Sequence, residues 1–217
     1  QGSGQNECDD DAQAREEIIP IEIDVFADDG TKKRITFATD EGPRRDSSAE
    51  GLAKLKPVFH KEGSVTAGNS CCQADAAAAL VVASRERAEA LGARPIAILR
   101  GYASAGVEPR HMGLGPVTAI PKALERAGLA LADMDLIEVN EAFAAQVIAC
   151  ERELRWDRRK LNVHGGAIAL GHPVGATGAK LIATALSALK QRNQELAVVS
   201  ACIGGGQGVA VVLQRVA

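Results

Sequence analysis

Hydrophobic and polar positions change period along this chain, and the changes mark its elements. Residues 18–25 (I-I-P-I-E-I-D-V) alternate at period two and predict a strand; Asp28-Asp29-Gly30 is a turn, and Arg34 to Phe37 a second short strand. Ser48 to Leu55 predicts a short helix closed by Pro57, and Val65 to Gln73 a β-type run reaching a Gly-Asn turn. An Ala-rich stretch then predicts a helix over Asp75 to Leu91. From Pro95 strand and helix alternate. Strands are expected at Ile96–Tyr102, Asp135–Val139, Leu196–Ala201 and Val209–Leu213, the last two joined by a glycine turn at 204–206. Helices are expected where Val117, Ile120, Leu124 and Ala127 recur, with Pro121 in the first turn, and where Phe143, Val147, Cys150 and Leu154 recur. Another follows Pro173, with Leu181, Ile182, Ala185, Leu186 and Leu189 forming one stripe. The order implies an α/β domain whose helices cover a sheet, closed by a hairpin at one end.

Composition narrows the class. The 217 residues suffice for one large or two small domains, and 46% hydrophobic with 3% aromatic residues means a core of Ala, Val, Ile and Leu. A net charge of −3 gives no bulk attraction for nucleic acid or an anionic membrane. No apolar run approaches the roughly 20 residues a bilayer span needs, and no secretory signal opens the sequence. Five cysteines, an odd number without small-domain spacing, point to a reducing compartment, with the cytoplasm as the default and an organelle matrix as the other choice. Residues 1–17 are polar with an acidic run and read as a solvated tail, in which Cys8 is an incidental thiol.

Three stretches carry candidate chemistry. Asn140-Glu141-Ala142-Phe143 falls at a strand end leading into a helix, where α/β sheets bind ligands; the bland alternative is an N-cap Asn with a first-turn Glu. Gly171-His172-Pro173 sets an imidazole on the turn into a buried helix, among glycines at 165, 166, 171, 175 and 178 that leave backbone open to a ligand. Cys202-Ile203-Gly204-Gly205-Gly206 ends a strand on a thiol beside backbone N–H groups able to face a substrate oxygen; a glycine hairpin beside a buried thiol is the plainer alternative. Arg44 and Arg45 suit a phosphate, or simply a solvated loop. Cys71 and Cys72, expected near a helix N-terminus, are conceivable nucleophiles but read better as packed thiols; no Cys/His pairing at ligand spacing suggests a metal.

In order and separation, N-E-A-F, G-H-P and C-x-G resemble the thiolase family. So do Asp40-Glu41-Gly42-Pro43-Arg44, Ala53-Lys54-Leu55-Lys56-Pro57, Val65-Thr66-Ala67-Gly68-Asn69, Met112-Gly113-Leu114-Gly115-Pro116 and residues 162–179, so that the resemblance runs from about Ile18 onward. It implies a layered α/β/α C-terminal domain at 94–217, the last strand and helix of the family's N-terminal domain at 65–93, and the end of its loop domain with a polar tail at 1–64. It also implies acyl transfer between 3-ketoacyl-CoA and CoA, or the reverse Claisen condensation, as in fatty acid metabolism. CoA and acetyl-CoA would be substrates, with no permanently bound cofactor.

Residue by residue, the resemblance makes His172 the group that activates a nucleophilic cysteine and holds the thioester oxygen. Cys202 becomes the proton carrier, Asn140 the holder of an oxyanion-hole water, and Gly204 the second oxyanion donor. Arg44 becomes a contact for the CoA nucleotide, and Cys71, Met112 and Phe143 walls of the pantetheine channel. Two departures stand out: the family's nucleophile belongs to an N-terminal half without counterpart here, and Cys71-Cys72 replaces the usual Ser-Gly. His164 replaces a frequent Asn. The resemblance therefore implies half of a thiolase, completed by a chain carrying the N-terminal half and assembling into a dimer or tetramer of complete units. A non-catalytic CoA- or acyl-CoA-binding protein, or an inactive fragment, is the alternative.

Overall fold

The computed structural model describes residues 17–216; of the expected polar tail only Glu17 falls within them, its carboxylate paired with the His164 imidazole at 3.0 Å, and residues 1–16, including Cys8, lie outside. Strand β1 (Ile21–Phe26) pairs antiparallel with β2 (Lys32–Phe37) in a separate ribbon, with Ile23 opposite Ile35. Helix α1 (Ala49–Ala53) is started by Ser48, whose hydroxyl accepts from the Gly51 amide.

Where Ala-rich composition predicts a helix over 75–91, only α2 (Arg85–Ala90) is helical, opened by the Ser84 cap; residues 74–84 belong to no helix or strand. Exposure explains the correction. Val81 and Val82 are 99% and 78% exposed, so no buried face exists here to support a helix, and β-branched Val-Val adds no propensity of its own. Cys71 and Cys72 consequently do not stand at a helix N-terminus.

The main sheet has the order β3–β6–β5–β4, built from β3 (Ala97–Gly106), β4 (Leu136–Val139), β5 (Leu196–Ile203) and β6 (Gln207–Arg215). Only β4–β5 is parallel. The β5–β6 hairpin lies in the middle of the sheet, because β3, which enters much earlier in the chain, pairs along β6. Period-two alternation sorts residues to two faces. Ile137, Val139, Val198, Ala210 and Val212 pack with Ile120 and Leu124 of α3 (Gly115–Ala127) and Val147 of α4 (Ala144–Leu154). Leu136, Ala197, Val199 and Leu213 pack with Leu181, Ala185 and Leu189 of α6 (Thr177–Gln191). Helices thus cover both faces, giving the expected α/β/α layering. Pro121 sits inside α3, not in its first turn, where Pro116 stands instead. Among the described residues no helix is long and apolar enough to cross a membrane.

Candidate active site

Asn140 follows directly on β4, and its amide donates to the Ser200 carbonyl of β5 at 2.9 Å, two residues before Cys202. The N-cap of α4 is Phe143, so Asn140 is released from the bland role its position allowed. Asn140 is 1% exposed, and among the described residues neither atom of its carboxamide has a hydrogen-bond partner. An orphaned buried carboxamide costs about 1–3 kcal/mol, which a bound water or substrate oxygen would relieve.

His172 sits between α5 (Ala167–Leu170) and α6. Gly171 before it has φ +89°, and a Cβ there would fall 2.6 Å from the Ala74 methyl, so only glycine fits. The Thr177 hydroxyl donates to the Pro173 carbonyl at 2.9 Å and therefore accepts from His172 Nδ1 at 2.7 Å. That fixes the proton on Nδ1 and leaves Nε2 a bare base. Burial pushes the imidazole pKa down, favouring the neutral form that a base requires. Sequence reasoning passed over Thr177; the signal was a hydroxyl residue five positions beyond the histidine at a helix start.

Cys202 lies near the end of β5, paired with Gly208 across the hairpin. Burial raises its thiol pKa, and Cys71 nearby pushes in the same direction, so the group holds its proton at neutral pH. The turn beyond it carries exposed Gly204, where an added Cβ would meet nothing within 4 Å. Burial also raises the pKa of Cys71, opposite to the activation a helix terminus would have given.

One short segment, Ser70–Gln73, joins these loops. Ser70 bridges Phe143, the Cys71 amide donates to Ala142 at 3.1 Å, and the His172 amide donates to the Cys72 carbonyl at 3.0 Å. Gln73 bridges His172, and Cys71 lies close enough to Cys202 to oppose its ionisation. Phe143 meets Phe59 edge-on, with ring centroids 5.9 Å apart. Met112 is half-buried in a 3-10 turn whose Gly113 carbonyl accepts from Cys150. Arg44 stands apart: it is exposed and paired with Asp46 at 3.0 Å, on a loop whose Gly42 packs against the Ala169 carbonyl of α5. On β4, two residues before Asn140, Glu138 is buried, its pKa raised to about 8 by desolvation against the pull of Lys180.

The family model of the thiolase C-terminal domain matches residues 93–215, and that of the thiolase N-terminal domain matches residues 4–86. This chain belongs to the thiolase family. It is 50% identical over 199 residues to an acetyl-CoA acetyltransferase of Escherichia coli, covering 92% of this chain and 49% of that protein. To the human peroxisomal 3-ketoacyl-CoA thiolase it is 51% identical over 199 residues, covering 91% and 47%. Among solved structures, the Bacillus anthracis acetyl-CoA acetyltransferase superposes with a TM-score of 0.85 at 46% identity, over 94% of this chain and 50% of that one. The human mitochondrial 3-ketoacyl-CoA thiolase in complex with CoA gives 0.78 at 48% identity, over 84% and 46%. The chain thus spans about half the length of the curated thiolases it matches.

Proposed function

We propose that this chain is one half of a thiolase, catalysing acyl transfer between CoA thioesters, with the nucleophilic cysteine supplied by a separate chain that carries the N-terminal half. The observation that carries the reading is a neutral imidazole with a fixed tautomer, a protonated thiol and a buried carboxamide without a partner among the described residues, with residues 70–73 bonded to the turn of Ala142 and Phe143 that follows Asn140 and to His172. These are a base, an acid and a water-holding amide, the set that thioester cleavage at a neighbouring thiol requires.

In the reaction, His172 Nε2 takes the proton from the incoming cysteine thiol, which attacks the keto carbon of a 3-ketoacyl-CoA. The carbanion of acetyl-CoA leaves and is protonated by Cys202. CoA then takes the acyl group from the cysteine: the CoA thiol gives its proton to the Cys202 thiolate as it attacks, and the cysteine thiolate leaves and recovers the proton held on His172. Asn140 through its water, and the Gly204 N–H, stabilise the oxyanions; each such donor is worth about 2.7–4 kcal/mol in transition states of this type. Arg44 contacts the CoA nucleotide, and Cys71, Met112 and Phe143 line the pantetheine path. The 74–84 segment, whose residues 74–78 share a cleft with residues 173–176 and whose Val81 and Val82 are exposed, offers the apolar surface on which the complementary chain docks, within a larger assembly of complete units.

Mixing this chain with a purified thiolase N-terminal half and following CoA-dependent loss of acetoacetyl-CoA tests the reading. Turnover is expected only with both chains, falling by about 100-fold or more with His172→Ala or Cys202→Ala. Binding of CoA without any turnover by the mixture would overturn it and leave a CoA-binding protein.

A further inference from the structure

Glu141 follows Asn140, yet its carboxylate turns away towards the chain that leads to His172. Oε2 accepts from the Ile168 amide at 3.3 Å, and Oε1 from Asn162 Nδ2 at 3.3 Å. Ile168 lies in the first turn of α5, whose N-cap is Gly166, a residue without a side chain to cap with. Glu141 provides that missing acceptor from 27 positions upstream, where a negative charge also suits the first turn. Its fit is close. A Cβ on Gly166 would lie 2.1 Å from Glu141 Cδ, although Gly166 itself has an extended backbone (φ −127°, ψ −175°) that any residue adopts. Glycine is therefore needed at 166 because of the carboxylate and not because of its own conformation.

Asn162 anchors the other side. Its Oδ1 accepts from the Val139 amide at 2.8 Å and its Nδ2 donates to the Val139 carbonyl at 2.9 Å, holding the end of β4 just before Asn140. The residue adopts φ +45° to do so. Glu141, Asn162 and the α5 terminus thus form a strut between the Asn140 loop and the four-residue helix that ends at Leu170, two residues before His172.

We propose that Glu141 is a positioning residue, holding the Asn140 carboxamide and the His172 imidazole in fixed relation through the α5 terminus. The proposal rests on the reading of Asn140 and His172 as groups of the thiolase reaction. In the reconstituted two-chain enzyme, Glu141→Ala is expected to lower kcat by about tenfold or more while KM changes by less than about threefold, since misplacement of reacting groups is felt in turnover. Glu141→Gln, retaining one acceptor oxygen, should fall between. Gly166→Ala should be as damaging as Glu141→Ala, and adding it to Glu141→Ala should cost little more, because the group it strikes is then gone.

Two measurements on this chain alone separate the strut from the activity. Hydrogen exchange at the Ile168 amide should accelerate in Glu141→Ala, and the His172 ring resonances should shift. Additive effects of the two substitutions, unchanged Ile168 exchange, or a kcat equal to that of the unsubstituted enzyme would each overturn the proposal. If the unsubstituted pair of chains is inactive, the functional reading fails, and Ile168 exchange with the coupling of the two substitutions in thermal unfolding still decides the strut.

Discussion

Residues 97–215 and residues 21–90 are built on different terms. In the first region every layer closes on another: β4 is buried along its whole length, and Ile120, Val139, Val198, Val212 and Leu189 lie within two cores on either side of the sheet. In the second, neither α1 nor α2 buries a single residue, the β1–β2 ribbon stands apart from the main sheet, and Phe26, Phe59, Val81 and Val82 face solvent. Yet the second region supplies Ser70–Gln73, the segment to which the candidate site is tied. The contrast teaches that the stable body and the completed site are separable properties: one is secured by burial within the chain, the other draws on residues with little packing of their own.

The largest effect is expected in the stable body. Ile120→Ala leaves a cavity at a fully buried position and should lower the unfolding free energy by about 2–5 kcal/mol, read by chemical denaturation. In the exposed region Val81→Asp should change the stability of the isolated chain by less than about 0.5 kcal/mol, while weakening association with the N-terminal half by about tenfold or more in a titration. An equal loss of stability from both substitutions would erase the comparison.

A pH-dependent effect sharpens the comparison on β4. Glu138 ordinarily titrates at 4.5 but is raised to about 8 by burial, so the folded chain binds a proton that the unfolded chain releases. Its contribution is fully present below pH 4.5 and is lost as pH rises through about 8. The stability difference between the unsubstituted chain and Glu138→Gln should therefore shrink or reverse against the natural residue over that interval; a difference independent of pH would contradict the assignment.

What could be read without coordinates was what is local. The alternation in β5 and β6, the stripe of α6 and the Gly171-His172-Pro173 turn each depend on neighbours a few residues away, and each lies near where the sequence puts it. The 74–84 segment misled because alanine-rich composition favours helix wherever packing is silent, and here Val81 and Val82 are left exposed among the described residues. Thr177 as the partner of His172, and Glu141 as a cap for α5, escaped for another reason. Both are hydrogen bonds whose meaning appears only when loops distant in sequence, or a turn of unknown shape, are brought together. The helix-cap alternative for Asn140 was decided by a shift of three residues, with Phe143 taking the cap.

The central claim is that this chain brings the acid, base and oxyanion groups while the nucleophile comes from another chain. Its most direct test is intact-mass analysis of the reconstituted complex after addition of acetyl-CoA under non-denaturing conditions. The account predicts one acetyl group on a cysteine of the N-terminal chain, none on Cys71, Cys72 or Cys202, and loss of that label with His172→Ala. Acetylation of a cysteine of this chain, or no acetylation in a complex that has formed, would contradict it.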